Sequence, residues 1–178
     1  MSLLRGSRTN SRTDAGTSDV DLDRHLYGSP DAPVRIVEYG DFECPYCKRA
    51  APVLKELVDG SGGRVALVWR HFPLFTVHAF ALTAALAAEA AGKHFWQMHD
   101  LLFEHQDRLT DADLNLYGAQ LGVVGVCGEA AQAFKHAVEA DYRSGVAAGV
   151  RGTPTLLIDG QRYEGKVRLD ALREVLGR

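Results

Sequence analysis

Only three cysteines occur in 178 residues, too few for the disulfide-stapled scaffold of a small secreted protein. Long apolar runs are missing as well. Hydrophobic residues make up 46% of the chain, yet no stretch approaches the roughly 18 uninterrupted apolar residues of a membrane span. Excess positive charge is absent too: 20 Lys and Arg against 23 Asp and Glu give −3 at pH 7, which offers no electrostatic basis for binding nucleic acid or an anionic membrane surface. No internal repeat is visible. Residues 1–23 hold almost nothing apolar after Leu4 and are rich in Ser, Thr, Arg and Asp. Such a stretch cannot form a core, and it lacks the apolar segment of a secretory signal. Residues 1–27 are therefore expected to be a disordered tail or linker. The localisation expected is cytoplasmic for the chain as written, or periplasmic or otherwise extracytoplasmic if an export signal or membrane anchor has been trimmed from it. Residues 28–178 are long enough for a single domain with a real core.

Two of the three cysteines stand three apart in Asp41-Phe42-Glu43-Cys44-Pro45-Tyr46-Cys47. This unit lies where an apolar β-run, residues 34–39, gives way to a helical pattern over residues 48–58. Pro45 suits the first helical position, where its missing N–H has no partner to lose. Cys44 is then roughly the N-cap, its sulfur facing the unpaired N–H groups and positive end of the helix dipole. A thiolate is stabilised there, and thiolate is the form that attacks disulfides. Cys47 lies about one turn further in, close enough for a small disulfide ring. The arrangement reads as a two-cysteine redox centre.

A second apolar run, residues 65–69, has the character of a buried central strand, so that strand, helix and strand form a βαβ unit with a right-handed crossover. From residue 77 to 149 the pattern is helical throughout. It comprises an Ala-rich segment at 80–91 that neighbours must cover and a helix whose inner face carries Phe95, Met98 and Leu102. A helix start follows at Thr110-Asp111-Ala112-Asp113 with Gly122 at its end, then a last helix over 129–148. The β pattern returns with a strand at 155–158, a two-residue Asp159-Gly160 hairpin turn, a strand at 161–163 and a short closing helix at 169–176. The fold class expected is α/β, a mixed sheet with a helical insertion over about residues 77–149.

Just before the third of these strands comes Gly149-Val150-Arg151-Gly152-Thr153-Pro154-Thr155. Taken with Glu-Tyr-Gly-Asp-Phe-Glu-Cys-Pro-Tyr-Cys and the Arg70-His71-Phe72-Pro73-Leu74 stretch, it makes residues 28–176 resemble the DsbA-like branch of the thioredoxin superfamily. Similarity is greatest to a bacterial thioredoxin group of which some members are appended to sodium/proton antiporters. The resemblance implies a thioredoxin fold with a helical insertion between its second and third strands. It also implies that Cys44 is the attacking cysteine, Cys47 the resolving one, and Pro154 a cis-proline facing them. Thr153 would offer its backbone to an extended substrate segment without reading side chains, and Pro45 and Tyr46 would border the same segment.

The chemistry implied is thiol–disulfide exchange with protein thiols or disulfides, reset by a redox partner protein or glutathione, and needing no cofactor beyond the Cys44–Cys47 disulfide. Its direction depends on tuning. The helix N-terminus favours the Cys44 thiolate, with Lys48 and Arg49 in support, whereas Glu38, Asp41 and Glu43 disfavour more negative charge. The Pro-Tyr pair lacks the His that DsbA proteins carry between their cysteines. A structural zinc site wants two further ligands; Cys127 is single, and His94, His99 and His105 are not spaced for one helical face, so no metal is expected. His71 and His78 read as loop or packing residues, Cys127 as a small buried hydrophobe, and Trp69 and Trp96 as core. Two other function classes stay open: a non-catalytic redox-sensing module, and a glutathione-dependent transferase, against which Cys47 counts.

Overall fold

The computed structural model describes residues 21–177. Five strands form one mixed sheet: β1 (Leu26–Gly28), β2 (Val34–Gly40), β3 (Val65–His71), β4 (Thr155–Ile158) and β5 (Gln161–Arg162), in the order β1-β3-β2-β4-β5. Only β2 and β3 run parallel, in register from Val34 opposite Val65 to Gly40 opposite His71. The helix α1 (Pro45–Asp59) connects them, as the βαβ reading expects. After β3 come α2 (Ala81–Ala90), α3 (Phe95–Glu104), α4 (Asp111–Gln120), α5 (Gly128–Ala131) and α6 (Lys135–Ala147), and α7 (Leu169–Val175) closes the chain.

Strand alternation decides what lies under α1. Side chains two apart on β2 share a face, so Ile36 and Glu38 point to one side and Val37 and Tyr39 to the other. Ile36 packs with Leu54 and Leu57 of α1 and Leu172 of α7. On the opposite face Val37 and Tyr39 join Val68, Phe72, Val150 and Leu157. A third cluster joins Cys44 and Cys47 to Trp69, to Ala84, Ala87 and Ala88 of α2, and to Phe95, Met98 and Leu102 of α3. The Ala-rich helix is covered on all the sides its composition demands, and the predicted inner face of α3 points inward.

Three expectations need correction. The ordered body begins before residue 28: β1 pairs antiparallel with β3, Leu26 opposite Val68, and His25 stacks on Phe95 at 3.5 Å between ring centroids. Of the expected tail, residues 1–20 lie outside the described residues. A three-residue strand on a sheet edge carries too short a pattern to register as β. The expected single helix at 129–148 is broken by a 3-10 turn at Gln132–Phe134, leaving α5 and α6 as separate pieces. The helical region starts at Ala81 rather than 77, so residues 74–80 form a loop.

Candidate active site

The backbone of Cys44 is extended (φ −76°, ψ 121°) and Pro45 occupies the first turn of α1, so Cys44 is the N-cap. Its N–H donates to Asp41 O at 3.1 Å and its carbonyl accepts from Lys48 N–H at 3.1 Å. The Gln106 amide donates to both Phe42 O (2.8 Å) and Cys44 O (2.9 Å), tying the turn that carries the cysteine to the segment after α3. Cys44 is 3% exposed and Cys47 not at all. The Thr153–Pro154 peptide bond is cis, and the Cys44 thiol donates to Thr153 O at 3.3 Å. Two motifs more than 100 residues apart in sequence thus meet at one sulfur.

The two thiols have opposite acidities. The Cys47 thiol, then the Thr153 side chain and the N–H groups of Cys47 and Tyr46, bring Cys44 down to about 5 against the opposing effect of burial. Burial pushes Cys47 well above its ordinary value, and its hydrogen bond to Cys44 and the Glu38 charge add to this. Glu38 is fully buried, and neither carboxylate oxygen has a hydrogen-bond partner among the described residues. Burial, then the Cys44 charge, raises it to about 8. It shares the face of Ile36 and therefore sits beneath the cysteines. An isolated buried carboxylate is far too costly to leave ionised, so it holds its proton.

Holding its proton, Glu38 is not the fixed negative charge that the acidic cluster was expected to supply; it opposes a Cys47 thiolate only once ionised. Asp41 and Glu43 are engaged differently. Asp41 accepts from Glu43 N–H through Oδ1 and from Leu74 N–H through Oδ2, each at 2.8 Å, and Oδ2 also lies 2.8 Å from His78 Nδ1. Glu43 accepts from Phe80 N–H at 2.7 Å. Lys48 donates to Glu104 O and the Arg49 guanidinium lies 4.5 Å above the Tyr46 ring. The groups acting on Cys44 are Cys47, Thr153 and backbone N–H rather than these two cations.

Tyr46 is 63% exposed and, with Thr153, Pro154, Lys166 and Val167, lines an open groove of about 560 Å³ beside Cys44. Pro45 is exposed at the helix start. A larger cleft, about 710 Å³, runs between α1 and α3. Neither lining includes a cysteine, but the smaller groove includes Thr153, whose carbonyl accepts from the Cys44 thiol, so it is the one that opens beside the cysteine pair. Cys127 is not the buried hydrophobe expected: it is half-buried at the N-cap of α5, its thiol near Asp111 O.

The residues that sequence reasoning passed over are Gln106, whose partners are more than 60 positions away, and the histidines. His71 is a strand residue with 1% exposure. It shares Glu89 Oε1 with His25, at 3.1 and 2.9 Å. These three side chains are close enough for a metal ion, but their chemistry does not suit one. The Arg24 guanidinium pairs with the same Glu89 oxygen, and Trp69 Nε1–H donates to His71 Nδ1 at 3.1 Å. That bond assigns the His71 proton to Nε2, the nitrogen facing Glu89. Arg24 also pairs with Asp141. The cluster is an ionic clamp that fastens the segment before β1 to α2 and α6. Although burial works the other way, the two imidazoles hold the Glu89 carboxyl well below the usual carboxylate range.

The sequence profile of the Thioredoxin family matches residues 21–178. Among curated proteins, the Na(+)/H(+) antiporter NhaA 1 of Salinispora arenicola is 44% identical over 166 residues, which cover 86% of this chain and 24% of the antiporter. NhaA 1 of Mycolicibacterium gilvum is 39% identical over 155 residues, 82% of this chain and 25% of that protein. The chain thus spans about a quarter of the length of these relatives. Among solved structures, the catalytic domain of Proteus mirabilis ScsC superposes with a TM-score of 0.75 at 21% identity, covering 88% of each chain. The thiol-disulfide exchange protein alpha-DsbA2 from Wolbachia pipientis gives 0.76 at 21% identity, covering 88% of this chain and 87% of that one. Profile, topology and structural neighbours agree: the chain belongs to the thioredoxin family, with the fold of these solved structures.

Proposed function

We propose that the protein is a thiol–disulfide oxidoreductase that exchanges disulfides with protein substrates through Cys44 and Cys47. The observation that carries this reading is geometric: Cys44 is the N-cap of α1 and its thiol donates to the Thr153 carbonyl at 3.3 Å, with the fully buried Cys47 one turn further in. That arrangement lowers Cys44 to about 5 and holds Cys47 well above its ordinary value. At neutral pH the first is a thiolate and a good leaving group, while the second keeps its proton until a base takes it.

In the oxidising direction a substrate thiolate attacks the Cys44 sulfur of the Cys44–Cys47 disulfide. A bond forms between the substrate sulfur and Cys44, and Cys47 leaves as a thiolate. Glu38, protonated and beneath it, gives Cys47 its proton. A second substrate thiolate then attacks the substrate sulfur of the mixed disulfide and Cys44 leaves as its stabilised thiolate. Two substrate thiols have lost two electrons and two protons, and the enzyme holds a reduced pair. In the reverse direction Cys44 attacks first, and Glu38 as a carboxylate takes the Cys47 proton so that Cys47 can resolve the mixed disulfide. Pro154 and the Thr153 carbonyl face the sulfur where an extended substrate backbone would lie, and Pro45 and Tyr46 border the groove, which supports protein rather than small-molecule substrates. No cofactor beyond the cysteine pair enters the cycle, and a partner protein or glutathione resets it.

The acidity of Cys44 also supports a direction. A Cys44 at about 5 is more acidic than the thioredoxin cysteine, at about 7, and less so than that of DsbA, at about 3.5, and a more stable thiolate favours the reduced pair and hence disulfide donation. A disulfide donor acts in an oxidising compartment, and we place its action outside the cytoplasm. A periplasmic thioredoxin-like protein from Salmonella enterica serovar Typhimurium shares the fold, with a TM-score of 0.71 at 23% identity. Among the described residues no helix is long and apolar enough to cross a membrane.

A second reading, a redox-sensing module that cycles with a single partner, is favoured by one observation: the chain matches about a quarter of antiporters. Equilibration with glutathione, together with Cys47→Ser offered to unfolded thiol proteins, separates the two. An oxidoreductase gives trapped mixed disulfides at Cys44 with many substrates, and a disulfide donor has a potential well above that of thioredoxin, about −270 mV. Failure of the pair to cycle, or trapping of one protein alone, would set the enzyme reading aside.

A further inference from the structure

Asp41 is buried, 2% exposed, at the mouth of α1, where an unbalanced carboxylate would push electrons away from the very sulfur that must become a thiolate. Its oxygens are met by two backbone N–H groups, of Glu43 and Leu74, and by one side chain, His78, at 2.8 Å. His78 comes from the loop at residues 74–80, and this loop touches the active-site turn at two further points, Leu74 N–H on Asp41 and Phe80 N–H on Glu43. The imidazole is thus the one basic side chain in contact with that carboxylate among the described residues, and its own loop is tied to the turn that carries Cys44.

We infer that His78 is a positioning residue for Cys44: its imidazolium balances the buried Asp41 carboxylate, so that the reactivity of the sulfur depends on the charge at His78. The inference rests on the exchange reading above and adds to it the cation that the Pro-Tyr dipeptide does not supply between the cysteines. The groups facing His78 are Asp41, Glu43 and Cys44. Burial opposes its charge, and their negative charges outweigh that and raise its pKa. The loop at 74–80 has no other titratable side chain, and the only one in α2 is Glu89, which is engaged by His25 and Arg24. When His78 loses its proton the pair becomes a net negative charge, the Cys44 thiolate is less stable, and the equilibrium moves toward the disulfide. The protein is then a weaker oxidant at alkaline pH.

His78→Asn keeps an N–H for Asp41 but carries no charge, and His78→Lys restores a charge that does not titrate near neutrality. Two measurements are made on each protein: the pH profile of Cys44 alkylation, located by mass spectrometry, and the equilibrium constant with glutathione at pH 6.5. In wild type the alkylation profile should show a second inflection where His78 titrates. H78N should lose that inflection, and its equilibrium should move toward the disulfide by about three- to tenfold, a modest factor because His78 is partly exposed. H78K should also lose the inflection but keep the wild-type equilibrium within about twofold. Wild-type behaviour in H78N overturns the inference. So does an equal shift in H78N and H78K, which would mean that His78 acts by packing. If H78N does not fold, H78K alone decides, since an inflection that survives in it cannot come from His78. A wild-type pair that does not equilibrate with glutathione would defeat the exchange reading, whereas the alkylation profiles would still test His78.

Discussion

Glu38→Gln preserves the shape of the side chain and removes its proton, which makes the oxidised and reduced proteins answer differently to pH. Glu38 stands at about 8 against an ordinary 4.5, chiefly through burial and then through the Cys44 charge. Between those values the folded protein holds a proton that the unfolded chain has released, so stability falls as pH rises. The whole difference is worth about 5 kcal/mol. Cys44 has the opposite sign. It stands at about 5 against an ordinary 9.0, so the folded protein has released a proton that the unfolded chain still holds, and stability rises with pH by a similar about 5 kcal/mol. Cys47, held high, does not titrate in this window.

In the reduced protein these slopes nearly cancel from about pH 5 to 8. In the oxidised protein Cys44 has no proton to lose, and Glu38 is left without that counterweight and without the part of its shift that the Cys44 charge supplies. The shifted histidines, His25, His78 and His99, tilt wild type and E38Q alike, so the two proteins are compared at each pH. Oxidised wild type should lose about 3–4 kcal/mol relative to oxidised E38Q between pH 5 and 8. Reduced E38Q should gain on oxidised E38Q as pH rises, through Cys44. A buried amide without partners costs about 1–3 kcal/mol at every pH, which shifts the curves without tilting them. Urea denaturation of both proteins in both redox states, at four pH values, measures all of this. If the oxidised curves of wild type and E38Q run parallel, Glu38 is not holding a proton and the role assigned to it in exchange is wrong.

Three further substitutions probe the frame rather than the chemistry. Arg24→Leu removes the guanidinium shared by Glu89 and Asp141; leaving those buried carboxylates short of a partner should cost about 3 kcal/mol in urea unfolding, with the Cys44 alkylation profile unchanged. Gly145→Ala would place a methyl 2.6 Å from the Phe72 ring and 3.0 Å from that of Tyr39. Overpacking there outweighs the gain in helix propensity, and a net loss of about 1–2 kcal/mol is expected by thermal melting. Thr110→Ala deletes the capping box at the start of α4, where Thr110 and Asp113 bond reciprocally; about 1 kcal/mol of stability should go, and glutathione equilibration should not change.

Local signals were legible in the sequence, and long-range ones were not. Cys44 and Pro45 announce a helix start because capping chemistry is written in adjacent residues. The Asp159-Gly160 turn is as plain, and the structure gives both residues the positive φ, 48° and 81°, that a two-residue hairpin needs. The Gly-Thr-Pro segment was found by resemblance, since nothing local ties it to Cys44. By contrast β1 is three residues with no period to detect, and its evidence is its pairing with β3. The Arg24, His25, Glu89 and Asp141 clamp draws on positions up to 117 apart, and His78 reaches Asp41 across 37. Each of these side chains looks ordinary in its own neighbourhood. Glu38 lay between the two cases, because a charged residue in phase with Ile36 on a buried strand is a visible conflict of pattern. Such conflicts mark functional positions more often than lapses in packing.

Glu38 and Asp41 make that point physically. They are the same kind of acid, three residues apart, both buried at the end of β2. Asp41 lies one residue past the strand, where the chain turns and N–H groups of Glu43 and Leu74 converge on it. Glu38 is still inside the strand, its backbone bonded across the sheet and its carboxyl among apolar side chains. Donors satisfy the oxygens of the first, and their absence makes the second a reservoir for a proton. A single thiol facing only Asp41 could be tuned but not reset, and one facing only Glu38 could exchange protons but would lack the anchored loop. Glu38 answers to both cysteines, its pKa raised by the Cys44 charge and its own charge raising Cys47, so the order of the two along α1 decides which sulfur becomes the thiolate and which keeps its proton.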